Sequence, residues 1–392
     1  MQIAFYAPLK PPSGATSTDH QDSARFLMDA LGRAGHAVEL VSTFRSYEEE
    51  GDPERQLAQR DEGAALAQLL ASQWRSGRRS PRPDMWFTHH VYYKAPDWLG
   101  PFVTAELGVP YVIAEASHAP KRAGGRWAIG HDAAADAIRR ADLVLCPTRQ
   151  DVVCVEPLVF NRERVVRLPP FLDPAPFRRA AGMREAYRSA IAETYRLDAD
   201  VPWIMVASMM QPGDKVASYR ALAAALACLG DLPWHLVVAG DGPARNEIET
   251  AISAALPGRA CFLGKLALAE LAPVFAASDL YVWPAINQAY GRAMYEAQAA
   301  GIAIVSCALR GVPDSVAEGR TGVRVPPRDA EALAQVVRAL LLNPSRRVAM
   351  GRAAMAFIDA ERSVDAAATR LDRALAQVFG GPGSPSAAAP RR

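Results

Sequence analysis

Gly291, Arg292 and Glu296, with Tyr290 and Gln288 just before them, form the densest concentration of usable chemistry in this chain. They follow the apolar run Asp279-Leu-Tyr-Val-Trp-Pro284 and precede the small-residue segment Ala-Gln-Ala-Ala-Gly301. The pattern predicts a buried strand, a polar loop, a helix opening at the glycine, a second buried strand over 302–306 and a glycine-bounded loop over 322–327. A helix starting at Tyr290-Gly291 turns backbone N–H groups and the positive end of its dipole toward whatever fills the loop. An anion fits there. Glu296 lies about one and a half turns further in, on an apolar segment where a carboxylate is costly unless paired or hydrogen-bonded. Ribose hydroxyls would supply such bonds.

Positioning these groups requires a regular scaffold, and the rest of the chain alternates strands with helices, the mark of a parallel sheet covered on both faces. Strands are expected at 2–7, 37–42, 84–88, 110–115 and 142–146. Helices are expected at 19–34, 48–70 and 132–140, with an exposed loop at 74–83. Beyond a proline-rich hinge at 167–177 and a connecting helix at 184–195, strands are expected at 203–208, 234–239 and 260–263, and helices at 218–229 and 268–277. Ligands of open α/β sheets sit beyond the carboxyl ends of the strands. That places Lys215, His89, His90 and His118 in favoured positions.

Composition bounds the answer. At 392 residues the chain exceeds one ordinary core and suggests two domains. Half the residues are hydrophobic and 22% charged, as in an ordinary globular protein. A net charge of +2 argues against nucleic acid as a partner. No apolar run of about 18 residues suggests a membrane span. The opening Met-Gln-Ile-Ala-Phe-Tyr reads as a strand and not as a signal peptide, so a cytoplasmic protein is expected. The five cysteines, Cys146, Cys154, Cys228, Cys261 and Cys307, lack metal-ligand spacing and read as reduced core residues. Only five basic residues are lysines, Lys10, Lys94, Lys121, Lys215 and Lys265, a bias that fits a GC-rich bacterial genome. Lysines retained against it mark places where a compact ammonium suits better than a guanidinium.

The stretch 279–327 resembles the nucleotide-binding segment of the retaining glycosyltransferases of family 4 (glycosyl transferases group 1), which have the two-domain GT-B fold. Tyr290-Gly291, Glu296 and Gly301 match that family's pattern, while Gln288 stands where the family has a first glutamate. The resemblance implies two Rossmann-like domains facing each other across a cleft: an acceptor domain at 1–170, a hinge and connecting helix at 171–198, a nucleotide-sugar domain at 199–362, and a helix at 363–379 able to cross back. A Gly/Pro/Ser/Ala tail at 380–392 is expected to stay unfolded.

The implied activity is retaining transfer from a nucleoside-diphosphate sugar, with a UDP-sugar as donor and no metal required. The resemblance puts Lys215 on the donor diphosphate and His118 near the donor sugar. Gly14, Ser208, Gly242, Leu263, Gly264, Gln288, Tyr290, Gly291, Arg292 and Glu296 complete the donor contacts, with His118, Lys215 and Gln288 as catalytic candidates. The family's companion arginine is absent, because Ala207-Ser208-Met209-Met210 stands in its place, and Arg292 or Arg220 are candidates for the missing charge. His89, His90, Tyr92 and Lys94 are candidates to line an acceptor pocket for a small molecule, lipid or glycan. Three histidines also suggest a metal, but no acidic ligand lies at fixed spacing, so no metal is expected.

Each residue has a plainer role open to it: a solvated lysine, a histidine serving only the fold, a helix cap at Thr16 or Asp19. The basic run Arg75, Arg78, Arg79 and Arg82 would suit peripheral contact with anionic lipid, or simply solvation. Two other functions are open. Loss of two charged groups fits a catalytically silent, nucleotide-sugar-binding partner of another transferase. An epimerase or hydrolase of the same fold would need a carboxylate at the sugar, for which Glu115 and Asp19 are the candidates.

Overall fold

A computed structural model of the chain describes residues 1–12, 19–287, 291–309 and 312–379. The chain divides into two units, Met1–Pro170 together with the segment from Val364 onward, and Phe171–Ser363. None of the described helices is long and apolar enough to cross a membrane.

The first unit is built on β1 (Gln2–Tyr6), β2 (Ala37–Ser42), β3 (Met85–Val91), β4 (Tyr111–Ala116), β5 (Leu143–Cys146) and β6 (Val165–Arg167). They form one sheet in the order β2-β1-β3-β4-β5-β6, all parallel. The central strands are continuous apolar runs because helices cover both faces. Phe5 and Phe87 stack at 5.6 Å between ring centroids on neighbouring strands. The helix Pro53–Arg75 starts where Asp52 accepts hydrogen bonds from the Glu54 and Arg55 amides and Pro53 takes the first helical position. It begins later than the 48–70 expected, because the Glu48 carboxylate instead receives the amides of Glu50, Gly51 and Asp52 in a turn. The helix Val364–Phe379 packs on Asp19–Arg33 within this unit, with Arg33 and Asp365 paired at 2.8 Å.

Asp97 is the polar centre of this unit. Its buried carboxylate accepts bonds from Thr88 Oγ1, Tyr111 Oη and the amides of Leu99 and Gly100, fixing the start of the helix Gly100–Leu107.

The second unit holds β7 (Trp203–Ala207), β8 (His235–Ala239), β9 (Ala260–Gly264), β10 (Leu280–Trp283), β11 (Ala303–Cys307) and β12 (Gly322–Val325). The order is β12-β11-β10-β7-β8-β9, again all parallel. The segment 322–325, expected as a loop, is the edge strand β12. Its flanking glycine and proline disguise it. The helix Arg184–Tyr195 is anchored by Asp279, which pairs with Arg184 at 2.8 Å and Arg188 at 2.9 Å and accepts the Trp203 amide.

Strand order reverses once in each unit. In the first sheet the chain leaves β1 in both directions, to β2 and to β3; in the second it leaves β7 toward β8 and toward β10. At such a reversal the connections leave on opposite faces and open a crevice beyond the carboxyl ends. The two switch points are therefore β1/β3 and β7/β10.

Candidate active site

The β7/β10 switch point gathers most of the expected donor residues. Pro212-Gly213 closes the turn after β7, and the next helix begins at Asp214, four residues earlier than expected. Lys215 is thus in a helical first turn and not in a loop. A cation at the positive end of a helix is unfavourable unless an anion joins it. Its Nζ lies 5.2 Å from the centre of the Trp283 ring, at the end of β10. Trp283 was read only as strand interior, and nothing in local spacing marks it as a partner of Lys215.

The loop after β10 is pinned to the same helix start. Ser218 Oγ accepts the Ile286 amide at 3.0 Å, and Asn287 Nδ2 donates to Asp214 at 2.8 Å. Gln288 and Tyr290 lie outside the described residues, as does Gly14. Gly291 is the N-cap of Arg292–Ala299, with no side chain capping it. Glu296 is buried and accepts a 2.9 Å hydrogen bond from Arg292 Nε one turn earlier. The pair supplies the compensation that a buried carboxylate needs. Arg292 therefore neutralises Glu296 within the helix. Arg220, the other candidate for the missing charge, pairs with Glu247 at 2.8 Å on an exposed surface.

Backbone forms the opposite wall. A Cβ on Gly240 would collide with the Ser208 carbonyl, and one on Gly242 with that of Met210, so both positions need glycine for this close approach. The Ser208 amide donates to Ala239 O at 3.1 Å, and its carbonyl accepts from Tyr219 Oη at 3.0 Å. Gly264 O accepts the Gly240 amide at 2.8 Å. The β8/β9 register skips Leu263, pairing Val238 with Phe262 and Ala239 with Gly264. A bulge at a strand end re-aims the backbone beside the crevice.

The first unit brings together a second group. β3 extends through Val91, so His89 and His90 are inside the strand and not beyond its end as expected, and Glu115 is within β4. His89 Nε2 and His90 Nδ1 lie 3.5 and 3.2 Å from the same oxygen of Glu115, Oε2. Burial pushes the Glu115 carboxyl up, but His89 and then His90 outweigh it and hold the group well below the usual carboxylate range. Ser23 Oγ donates to its other oxygen at 3.0 Å.

Tyr92 stacks edge-on against His90 at 5.2 Å and against Tyr93 at 5.3 Å; Tyr93 continues the ladder to Trp127. Arg122 lies over both Tyr93 and Trp127. Lys94 donates to Glu49 O at 3.0 Å and covers Trp127, so it holds the turn. His118 is not in this group. Its ring packs at 4.7 Å against His131, and burial, then His131 and Arg139, lower its pKa below the ordinary histidine value. Three arginines of the basic run are engaged locally, Arg75 with Glu106, Arg79 with Glu39 and Arg82 with the Leu107 carbonyl.

Residues 202–343 match the family described as "Glycosyl transferases group 1". That match lies wholly within the second unit. Among curated relatives, an alpha-D-kanosaminyltransferase of Streptomyces kanamyceticus is 30% identical over 188 residues, 48% of each chain. The chain thus matches about half the length of that relative. A solved glycosyltransferase from Rickettsia africae superposes with a TM-score of 0.73 over 96% of this chain and 98% of its own, at 15% identity. Anabaena HepE in complex with UDP-glucose superposes with a TM-score of 0.66 over 96% of this chain and all of its own, at 17% identity. The fold is GT-B, and the residues that match the family span the second sheet and its β7/β10 crevice.

Proposed function

We propose that this protein is a retaining glycosyltransferase of family 4 that moves a sugar from a nucleoside-diphosphate sugar, a UDP-sugar foremost, to a hydroxyl of a small-molecule, lipid or glycan acceptor. One observation carries the reading: at the switch point of a group 1 transferase domain, Lys215 stands in the first turn of one helix, while a second helix starts at Gly291 without a side-chain cap. Both supply positive potential where a diphosphate would lie. The structures of HepE in complex with UDP and with UDP-glucose support the choice of donor.

In this reading Lys215 and the amides at Gly291 and Arg292 stabilise the leaving diphosphate, whose charge grows as the glycosidic bond breaks. Glu296 holds the ribose hydroxyls, exchanging part of its bond to Arg292 for them. Backbone groups of Ser208, Gly242, Leu263 and Gly264 flank the base. Gln288 and Tyr290 are further donor contacts in this reading, Gln288 toward the sugar. Neutral His118 is the third catalytic candidate, and Gly14 a donor contact. His89, His90 and Tyr92 line the acceptor side, with Lys94 bracing it. The transfer needs no metal on the diphosphate, since lysine and helix termini meet its charge.

A thermal-shift panel of nucleotide sugars, followed by product analysis with the donor that binds, tests this. A donor that binds the folded state raises the melting temperature by mass action. Binding with transfer supports the reading; binding without transfer or hydrolysis supports a silent partner; no shift with any nucleotide sugar overturns both.

A further inference from the structure

We infer that His89, His90 and Glu115 form a binding site for a divalent transition-metal ion such as zinc, at the carboxyl ends of β3 and β4. Their ligand atoms all lie within 4.8 Å of one another. Two imidazole nitrogens converge on a single carboxylate oxygen at 3.5 and 3.2 Å. Tetrahedral ligands at bond lengths of about 2.0–2.2 Å stand roughly 3.4 Å apart, so the two histidine–carboxylate distances already match two edges of a coordination tetrahedron, with the two imidazole nitrogens within 4.8 Å of each other. Two histidines and one carboxylate with a fourth position open are a ligand set for zinc and its neighbours.

Three further observations point the same way. His89 is 1% exposed, and its Nε2 is buried without a hydrogen bond among the described residues while facing Glu115. His90 and Glu115 have φ of 67° and 59°, a left-handed backbone that non-glycine residues rarely adopt and that clusters at functional sites. Ser23 donates to Glu115 Oε1 at 3.0 Å, leaving Oε2 to the histidines, as a supporting residue orients a metal-binding carboxylate. The site lies in the first unit and stands independently of the donor reading.

The test is titration of the full-length, untagged and chelator-treated protein with Co2+, followed by displacement with Zn2+. The expected result is about one equivalent of Co2+ with the visible absorption of a four- or five-coordinate ion, lost on adding zinc. His90→Ala, at the least buried of the two histidines, and Glu115→Gln should each weaken binding by roughly 100-fold, and Ser23→Ala by about 10- to 100-fold. Circular dichroism checks that each variant is folded. No absorption, or binding of equal affinity in folded His90→Ala and Glu115→Gln, overturns the assignment.

Discussion

At the scale of single residues, the pair Arg292–Glu296 changes what Glu296 is expected to do. A buried carboxylate already bonded to arginine is satisfied within its helix, and the proposed donor role asks it to take ribose hydroxyls in addition. Glu296→Ala is expected to lower donor affinity roughly ten- to hundredfold, the loss of about 1.5–3 kcal/mol for a hydrogen bond to a charged group, and Glu296→Gln less. Calorimetric titration measures this; unchanged affinity in folded Glu296→Ala would leave the carboxylate a purely structural partner of Arg292. Lys215→Ala is expected to lower kcat more than donor affinity, because the diphosphate gains charge in the transition state. Equal losses in both would place Lys215 in uniform binding. Gln288 offers an N–H where a glutamate would repel an acidic sugar. Gln288→Glu should therefore penalise a uronic-acid donor more than a neutral one, which paired donor assays would reveal, and an equal response would remove Gln288 from donor choice. The candidate donor residues were picked out by residue type and order: Lys215 and Gly291 stand at helix starts, Gly264 at a strand end, Gly242 in the turn after β8 and Glu296 inside the helix that follows Gly291. Glu115 as the partner of His89 and His90 was not. Their meeting depends on the β3/β4 register, which pairs His89 with Ala114, and no local spacing encodes a register.

At the scale of elements, two helices were read from sequence with the bounds they have: Arg184–Tyr195 and Leu268–Ala277 are apolar-periodic and give way to the polar residues Arg196 and Ser278. Of the four edge strands, β2 and β9 were read as strands, but β6 and β12 were not. β6 spans three half-buried residues, Val165–Arg167, too short to show alternation, and β12 hides between Gly322 and Pro326. The helix Asp214–Ala227 was placed late because its first turn carries Asp214 and Lys215 in place of apolar residues. What ties elements together is also non-local. Asp279, just before β10, binds Arg184 and Arg188, and Arg188 further donates to the carbonyls of Ala199, Val201 and Ala277. Asp279→Ala leaves buried guanidinium charge without its carboxylate and should destabilise the second unit by about 3–5 kcal/mol. Urea unfolding would measure it, and a change below about 1 kcal/mol would mean that the carbonyls alone satisfy the arginines.

At the scale of the whole molecule, pH acts through histidines whose partial burial disfavours the charged form. His36, His118 and His235 all have pKa values lowered from 6.5, chiefly by burial. Unfolding restores the ordinary value, so below about 6.5 the unfolded chain binds more protons and stability falls as pH falls. The contribution is fully present above that value. Glu115, held low by its histidines, adds a further loss at more acid pH, as protons reach the folded carboxylate. Denaturant midpoints measured from pH 8 to pH 5 should decline, and a flat profile would contradict the lowered pKa values of these half-buried histidines. The way the chain is divided has a consequence for its synthesis. The second unit is an insertion in the first: its ends meet where the Leu172 amide donates to Arg362 O at 3.0 Å, and the helix Val364–Phe379 then completes the packing on Asp19–Arg33. On a ribosome the unit that begins first must therefore finish last. The inserted unit has all its strands once Ser363 has emerged, while the earlier one waits with the apolar side of its first helix uncovered until the final helix arrives, and it is this interval in which a nascent chain would engage chaperones.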